Sequence, residues 1–246
     1  MRRCQRTFLS AALGVALLAT AALASDPSVK DEFNPTPGDP SETVGQVDCN
    51  LTGYKNEIMV LNPPLAIPDN NPTGVSVGPL VIPDDGTLIG DVIIDLRLSH
   101  TWIGDIIATV GYDENCDGAV DVSSTILCRP GRTVSCGTTG SGVGCSSNLI
   151  CDNTYLFDDA ATASLPSTGC SSPTNIPGGC YRPTGLDTGL LSVFEGHRKG
   201  GCWYLRLSDN AIADTGTLCQ FSVHILNTIP IGVEPSNWSN IKAIYR

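Results

Sequence analysis

The sequence predicts an all-β protein, a β-sandwich of the jelly-roll type that disulfide bonds hold together. Three features indicate this class. Apolar residues alternate with polar ones in several short runs, turn residues separate these runs, and cysteines are frequent for a chain of 246 residues. No helix of ordinary length is visible between the two ends of the chain, and no internal repeat is present.

The clearest strand pattern lies at residues 92–99, where Val92, Ile94, Leu96 and Leu98 face one way. Period-2 alternation is typical of a strand with one face in the core. A partner strand is predicted at 106–110, and further strands are predicted at 203–208 and 221–225. Turn residues separate these runs, as Pro-Asp and Asp-Gly do in IPDDGT.

The first 24 residues have the features of an export signal. Arg2, Arg3 and Arg6 supply a positive start, residues 8–23 are apolar but too few to span a bilayer, and 22–24 offer small residues for cleavage. We therefore predict a secreted chain, extracellular or periplasmic, with no transmembrane segment in the remainder.

Removal of the signal changes both the charge and the cysteine count. Three arginines leave, so the net charge moves from −11 to −14, and Cys4 leaves, so eleven cysteines become ten. An even number in an oxidising compartment predicts disulfides. The ten are Cys49, Cys116, Cys128, Cys136, Cys145, Cys151, Cys170, Cys180, Cys202 and Cys219. Proximity in the sequence favours Cys128–Cys136, Cys145–Cys151, Cys170–Cys180 and Cys202–Cys219, without excluding other pairings.

The acidic composition excludes two classes of partner. A negative chain repels nucleic acid and anionic lipid surfaces, so neither is predicted to bind. Negative charge is compatible with calcium, which is abundant outside cells. An apolar content of 41% is enough for one core, and the length suits one domain with tails.

Both ends of the chain differ from the middle. Residues 25–61 are acidic and rich in proline, so we predict a disordered N-terminal arm or linker. Residues 228–246 follow the last strand pattern and are predicted to pack against the domain, with a sorting or docking peptide as the alternative. The β-domain itself is predicted at 62–227.

Four stretches, in this order, carry a family resemblance. They are IPDDGTLIGDVIIDLRLSHTWIGDIIATV at 82–110, YLFDDAA at 155–161, CYRPTGLDTGLLSVFEGHRKGGCWYLRLSDNA at 180–211 and DTGTLCQFSVHI at 214–225. Together they resemble the P domain, or P/Homo B domain, of proprotein convertases and bacterial subtilisin-like proteases. The resemblance implies a galactose-binding-like jelly roll that accompanies a protease and is not itself catalytic.

The sequence departs from this family in two ways. A long cysteine-rich insertion lies between Val110 and Asp158, where family members often have a short turn. In addition, only residues 25–61 separate the predicted cleavage site from the matching region, which is too short for a catalytic domain. We therefore expect a P domain without its protease, and an activity cannot be inferred from the fold alone.

His100 decides between an enzyme and a binding module, because the chain has only three histidines. The inward face of the 92–99 strand continues through His100 and Trp102. A triad needs a nucleophile and an orienting acid, and no Gly-x-Ser-x-Gly or Gly-Thr-Ser segment is present. We predict no catalytic residue, a structural role for His100, Trp102 and Trp203, and no obvious partner for the other two histidines, His197 and His224.

Carboxylates at the ends of the matching stretches form a candidate calcium site. Asp105, Asp158, Asp159 and Asp209 are implied by the resemblance to lie near one another at one end of the sandwich. Clustered carboxylates repel one another unless a cation or hydrogen bonds compensate them, and Ca²⁺ binds six to eight such oxygens. The alternative is that each acid caps backbone N–H groups in its own turn.

A weaker candidate calcium loop is DENCDGAVD at 113–121. Asp113, Asn115, Asp117 and Asp121 have the spacing of the first nine positions of an EF-hand loop, with a glycine at position six. The twelfth position is Ser124, which cannot supply a bidentate carboxylate. A hairpin loop with weak affinity for calcium is therefore predicted.

Three functions are compatible with these features. The first is a secreted, non-catalytic module with a structural, adhesive or protease-accessory role. The second is a carbohydrate- or ligand-binding module, for which Trp102, Tyr155 and Tyr181 are candidate contacts. The third is a subunit of a cell-surface assembly or filament. The expected partners are a protein or glycan at the cell surface, a protease, or another copy of the chain.

Overall fold

The computed structural model describes residues 49–133, 135–136, 144–166, 170, 172, 174–186 and 188–228. The predicted export signal, residues 25–48 of the predicted arm and residues 229–246 of the predicted tail lie outside the described residues. No helix in the described part of the chain is long and apolar enough to cross a membrane.

Within the described residues, ten strands form two five-stranded sheets, which confirms the all-β sandwich. The strands are β1 (Lys55–Ile67), β2 (Asn71–Ile82), β3 (Leu88–His100), β4 (Ile106–Asp113), β5 (Val122–Cys128), β6 (Tyr155–Phe157), β7 (Gly179–Tyr181), β8 (Thr184–Gly185), β9 (Gly201–Asp209) and β10 (Gly216–Thr228). Single turns of 3-10 helix lie at Ile103–Asp105 and Leu191–Phe194. No α-helix occurs among the described residues.

The strand order is β1-β10-β3-β6-β7 in the first sheet and β2-β9-β4-β5-β8 in the second. Pairing is antiparallel except for β5 with β8 and β6 with β7. The alternating apolar residues of β3, β9 and β10 point between the sheets, where Leu96, Trp203 and Phe221 are fully buried. This packing of two apolar faces is what the period-2 pattern predicted.

The predicted pairing of residues 92–99 with 106–110 is wrong, although both strands exist. β3 pairs with β10 and β6, whereas β4 pairs with β5 and β9 in the opposite sheet. The 3-10 turn Ile103–Asp105 carries the chain from one sheet to the other. Alternation defines the buried face of a strand but not which strand lies beside it.

The N-terminal boundary of the β-domain also differs from the prediction. The first strand begins at Lys55, within the segment 25–61 that was predicted as an arm. β1 is an edge strand, and its register shifts between Val60 and Leu65, where Pro63 and Pro64 supply no N–H group. Prolines at a sheet edge or bulge are compatible with a strand, so proline content concealed this strand in the sequence.

All ten cysteines after Cys4 form disulfides in the structure. Cys128–Cys136 is confirmed, and the other three pairs that sequence proximity favoured are wrong. The remaining bonds are Cys49–Cys180, Cys116–Cys202, Cys145–Cys170 and Cys151–Cys219. Three of these four join segments that are between 68 and 131 residues apart, because the sheet topology brings distant segments together.

Candidate functional site

His100 lies at the end of β3, where its side chain is inaccessible to solvent. Its Nε2 donates a hydrogen bond to Oδ2 of Asp209 at 3.1 Å. Its Nδ1 lies 3.1 Å from the backbone N of Trp102 and 2.8 Å from the carbonyl oxygen of the same residue. Oδ1 of Asp209 accepts the backbone N–H of Ala211. Both ring nitrogens therefore have partners within the protein.

Asp105 and Arg129 extend this buried group on the side of the second sheet. Nη2 of Arg129 lies 3.6 Å from Oδ1 of Asp105, and its Nε donates to the carbonyl of Gly104 at 3.0 Å. Burial lowers the pKa of Arg129, as does the neighbouring Arg132, whereas Asp105 and Asp209 oppose that shift. The guanidinium is thus held by carboxylates in a site that otherwise disfavours charge.

Five side chains form what is here called the buried charge cluster: His100, Asp105, Arg129, Arg132 and Asp209. The charges of its two carboxylates and two guanidiniums balance. All five residues are less than a tenth exposed, and Arg129 lies beside both carboxylates. A buried ion group needs such compensation, because an unpaired charge in the interior is costly. The cluster sits at the junction of β3, β4 and β9, which indicates that it holds the two sheets together.

The structure brings together two of the four predicted calcium ligands. Asp105 and Asp209 both lie beside Arg129. Asp158 follows β6 in the other sheet, where its Oδ1 accepts the N–H of Ala160 at 2.7 Å. Burial raises the pKa of Asp158, and the charges of Asp91 and Asp159 add to the rise.

Asp159 has different hydrogen-bond partners from Asp158. Its two carboxylate oxygens accept the backbone N–H groups of Leu191 and Ser192, each at 2.9 Å. These are the first N–H groups of the second 3-10 turn, so Asp159 caps it across 32 residues of sequence. The alternative to calcium was a cap within the acid's own turn, which the contact of Asp158 with Ala160 matches, whereas Asp159 caps a distant turn.

One group of three potential metal-binding residues is present in the described part of the chain. It consists of Cys49, Asp158 and Cys180, whose ligand atoms lie within 4.8 Å of one another. The two cysteines form a disulfide, so neither offers the thiolate that binds metals. Calcium binding by Asp105, Asp158, Asp159 and Asp209 stays a prediction.

The carboxylates of the loop at 113–121 bind the backbone of the same loop. The side chain of Asp113 is buried and accepts the N–H groups of Asp117 and Gly118 at 3.3 and 2.8 Å. Asp121 accepts the N–H of Glu114 at 2.8 Å. These bonds shape a tight turn, and calcium binding here also stays a prediction.

Two further groups in the same loop are held in place. Oδ1 of Asn115 accepts the N–H of Asp117, and the side-chain amide of Asn115 donates to Oδ2 of Asp117. Cys116, between them, is joined to Cys202 at the base of β9. The disulfide therefore fixes the loop against the second sheet.

A polar cavity that the sequence did not indicate lies beside this loop. It has a volume of about 640 Å³ and is lined by His197, Arg198, Glu114 and Asp84, among others. Nδ1 of His197 lies 3.2 Å from Oε2 of Glu114, and Arg198 reaches Asp84 and Glu114 at 3.1 and 3.6 Å. His197 thus has a partner 83 residues away, which no local pattern could reveal.

His224 also has an acidic neighbour that the sequence did not indicate. Its Nε2 lies 3.7 Å from Oδ2 of Asp95, on the outward side of β10 and β3. The antiparallel register would allow this contact to be inferred. Asp95 is opposite Ser222, and His224 is two residues further along the same strand. That inference needed the pairing of β3 with β10, which the sequence did not predict.

The aromatic residues divide into buried and partly exposed ones. Trp203 is fully buried, with its ring 4.7 Å from that of Tyr112 and 5.0 Å from that of Phe194. Tyr155 and Tyr181 are buried as well, so they are not available as the sugar contacts that were proposed from the sequence. Trp102 is half-buried beside His100.

The fold and its five disulfides define a class, that of disulfide-linked β-sandwich proteins. No family model and no curated protein matches the chain. Among solved structures, the Aeromonas sobria serine protease in complex with its chaperone matches with a TM-score of 0.35, 14% identity, and coverage of 70% of this chain and 26% of that one.

Two other solved structures give similar comparisons. The Aeromonas sobria serine protease alone has a TM-score of 0.34 and 13% identity over 70% of this chain and 26% of that chain. Infectious bursal disease virus, Gx strain, has a TM-score of 0.28 and 11% identity over 80% and 37%. The chain spans about a quarter of the length of the protease.

Proposed function

We propose that this chain is an exported, non-catalytic β-sandwich module of the P/Homo B kind, with a structural or protease-accessory role. The proposal rests mainly on the burial and the hydrogen bonding of His100. Its side chain has no solvent access, and both ring nitrogens face partners within the protein. A general base must reach the proton that it removes, directly or through one water.

The surroundings of His100 support the same proposal. Among the described residues, its side chain is hydrogen-bonded only to Trp102 and Asp209, and neither is a nucleophile that a histidine activates. The charge balance of the buried charge cluster is what a structural ion group requires. His100 therefore acts, in this proposal, as a brace between β3 and β9.

The disulfides support export and a structural role. Five bonds lie within residues 49–219, which is a density typical of proteins in oxidising compartments. Cross-links that close long loops stabilise a fold mainly by restricting the unfolded chain. A module that stabilises a neighbour, or survives beside a protease, benefits from that restriction.

A hydrolysis assay tests the absence of catalysis. The purified mature chain is incubated with casein and with a library of peptide substrates, and we expect no turnover above that of buffer. Turnover that His100→Ala abolishes would refute the proposal, provided that His224→Ala, a matched change at another buried histidine, retains it.

A stabilisation assay tests the accessory role. A subtilisin-like serine protease is heated with and without an equimolar amount of this chain, and its residual activity is followed with time. We expect a longer half-life in the presence of the chain and none of that gain with an unrelated acidic protein. Equal half-lives in all three samples would count against the accessory role and leave the structural one.

Stabilisation by calcium is the last part of this proposal. If Ca²⁺ binds only the folded state and is present at 100 times its dissociation constant, chelation lowers the free energy of unfolding by about 2.7 kcal/mol. The measurement is chemical unfolding with and without a chelator. An unchanged unfolding curve, together with no metal in elemental analysis, would remove calcium from the proposal.

A further inference from the structure

The outward face of the second sheet carries a cavity that none of the roles above uses. Residues Trp203, Leu205 and Leu207 of β9 point into the core, so Tyr204 and Arg206 lie on the opposite side of that strand. Together with residues of β2, β4 and β5 they line a cavity of about 320 Å³. This volume is near the lower end of the range for small-molecule sites, roughly 300–1,000 Å³.

Glycines lie on both sides of Tyr204, and neighbouring side chains pack directly onto them. Gly111 of β4 is its partner in the antiparallel register. A Cβ at Gly78 of β2 would lie 2.8 Å from the Tyr204 ring, and a Cβ at Gly111 would lie 3.0 Å from Cγ1 of Val120. The Tyr204 ring therefore lies against Gly78 and Val120 lies over Gly111, and both the half-exposed Tyr204 and the exposed Val120 line the cavity.

Arg206 is held in one position at the edge of this cavity. Its Nε donates to the carbonyl of Thr73 at 2.9 Å, and its Nη2 donates to the carbonyl of Pro72 at 2.6 Å. Among the described residues, Nη1 has no hydrogen bond that competes with a ligand. A guanidinium that is fixed before binding loses little conformational entropy when a ligand arrives.

The charge at this cavity is opposite to that of the protein as a whole. The chain has a net charge of −11, yet the residues described as lining the cavity include one arginine and no carboxylate. The polar groups around Arg206 are the hydroxyls of Ser76, Thr109 and Ser123. Neutral donors beside a single fixed cation are complementary to one anionic group with hydroxyl neighbours.

We propose that this cavity binds an acidic sugar, a uronate unit of a polysaccharide. The apolar face of a pyranose ring would stack on Tyr204 beside Val120, and its carboxylate would accept a hydrogen bond from Arg206. Serine and threonine hydroxyls at the rim would pair with the sugar hydroxyls. An apolar platform with a few fixed polar groups is the usual composition of a small-ligand site.

Calorimetric titration with a galacturonate trimer tests this proposal, with a neutral glucose trimer and inorganic sulfate as comparison ligands. We expect binding of the galacturonate trimer alone. Arg206→Gln should weaken it by about tenfold or more, as loss of a charge-assisted hydrogen bond does. Tyr204→Ala should weaken it by roughly fivefold, and Tyr204→Phe should leave it nearly unchanged, because the ring is retained.

The matched control is Arg97→Gln, at an exposed arginine on β3 in the other sheet. It should bind like the unchanged protein, and chemical unfolding should show that every variant is folded. Three results would overturn the proposal: no binding at millimolar trimer, equal binding of the neutral trimer or sulfate, or equal loss in Arg97→Gln and Arg206→Gln. Hydrolysis of the bound sugar would refute the non-catalytic function while leaving the binding site in place.

Discussion

Two groups in this molecule contain the same three chemical components, a histidine, a carboxylate and an arginine. In the buried charge cluster, His100, Asp209 and Arg129 are almost completely enclosed. In the open group at the 640 Å³ cavity, the side chains of His197 and Glu114 are about one third exposed and that of Arg198 is 64% exposed. The distances from histidine to carboxylate, 3.1 and 3.2 Å, are nearly the same.

The difference shows that geometry alone does not define the role of an ion pair. Water screens the open group, so its pairs add little to stability and can be exchanged for a ligand. Burial makes each partner in the enclosed group necessary, because removal of one leaves the others with uncompensated charge. The enclosed group is therefore a structural element, and the open group is available for interaction.

The largest expected effect comes from breaking the buried group. Asp209→Ala removes the acceptor of His100 and one neighbour of Arg129, and we expect a loss of about 3–5 kcal/mol in the free energy of unfolding. The measurement is urea unfolding followed by tryptophan fluorescence. Glu114→Ala is the matched change in the open group, and a loss of similar size there would contradict the comparison.

The next effect concerns the disulfide that anchors the open group. Replacing Cys116 and Cys202 together by serine releases the loop that carries Glu114, and we expect a loss of about 2–4 kcal/mol. Unfolding experiments under oxidising conditions give this value. The buried charge cluster should stay intact, so a variant that loses near-ultraviolet circular dichroism altogether would show that the two groups are not independent.

Asp158 represents an intermediate case, a half-buried acid with acidic neighbours. Burial raises its pKa above 3.8, so the folded state binds its proton more tightly than the unfolded state does. Its contribution to stability therefore decreases as the pH rises from 3.8 through the folded pKa. Asp158→Asn keeps an acceptor for Ala160 and should be more stable than the original protein at neutral pH, with the advantage vanishing near pH 3. Unfolding curves at the two pH values test the sign.

The smallest effect is expected within the open group itself. His197→Ala should change the free energy of unfolding by less than about 1 kcal/mol, because partly exposed pairs are weak and screened by salt. Thermal unfolding at low and at high salt measures this, and the difference between the variant and the original protein should shrink as salt rises. A large loss in the free energy of unfolding that is independent of salt would show that His197 has a structural role, as His100 does.

The fold class could be predicted from the sequence, whereas the neighbours of each strand could not. Alternation in β3, β9 and β10 depends on local residues and on one buried face, both of which the sequence displays. The move of β4 to the opposite sheet depends on the turn Ile103–Asp105, whose glycine and aspartate indicate a turn but not which sheet the chain enters after it. β1 was missed because its prolines resemble those of a linker.

The candidate site could likewise be predicted only in part, because its residues were visible in the sequence but their partners were not. The inward position of His100 followed from continuing the β3 face, but its partner Asp209 lies 109 residues away. His197 and Glu114, and Tyr204 and Gly111, likewise meet through strand pairing and loop closure rather than through spacing in the sequence. Three of the five disulfides join segments at least 68 residues apart for the same reason.

The disulfide-bonded segments overlap along the chain, and this overlap determines what happens when a protease cuts the protein. The spans 49–180, 116–202 and 151–219 overlap one another. A single cut anywhere between Cys49 and Cys219 is therefore bridged by at least one of these bonds. A nicked molecule would keep its full mass until it is reduced, so cleavage in a surface loop would not release the pieces from each other.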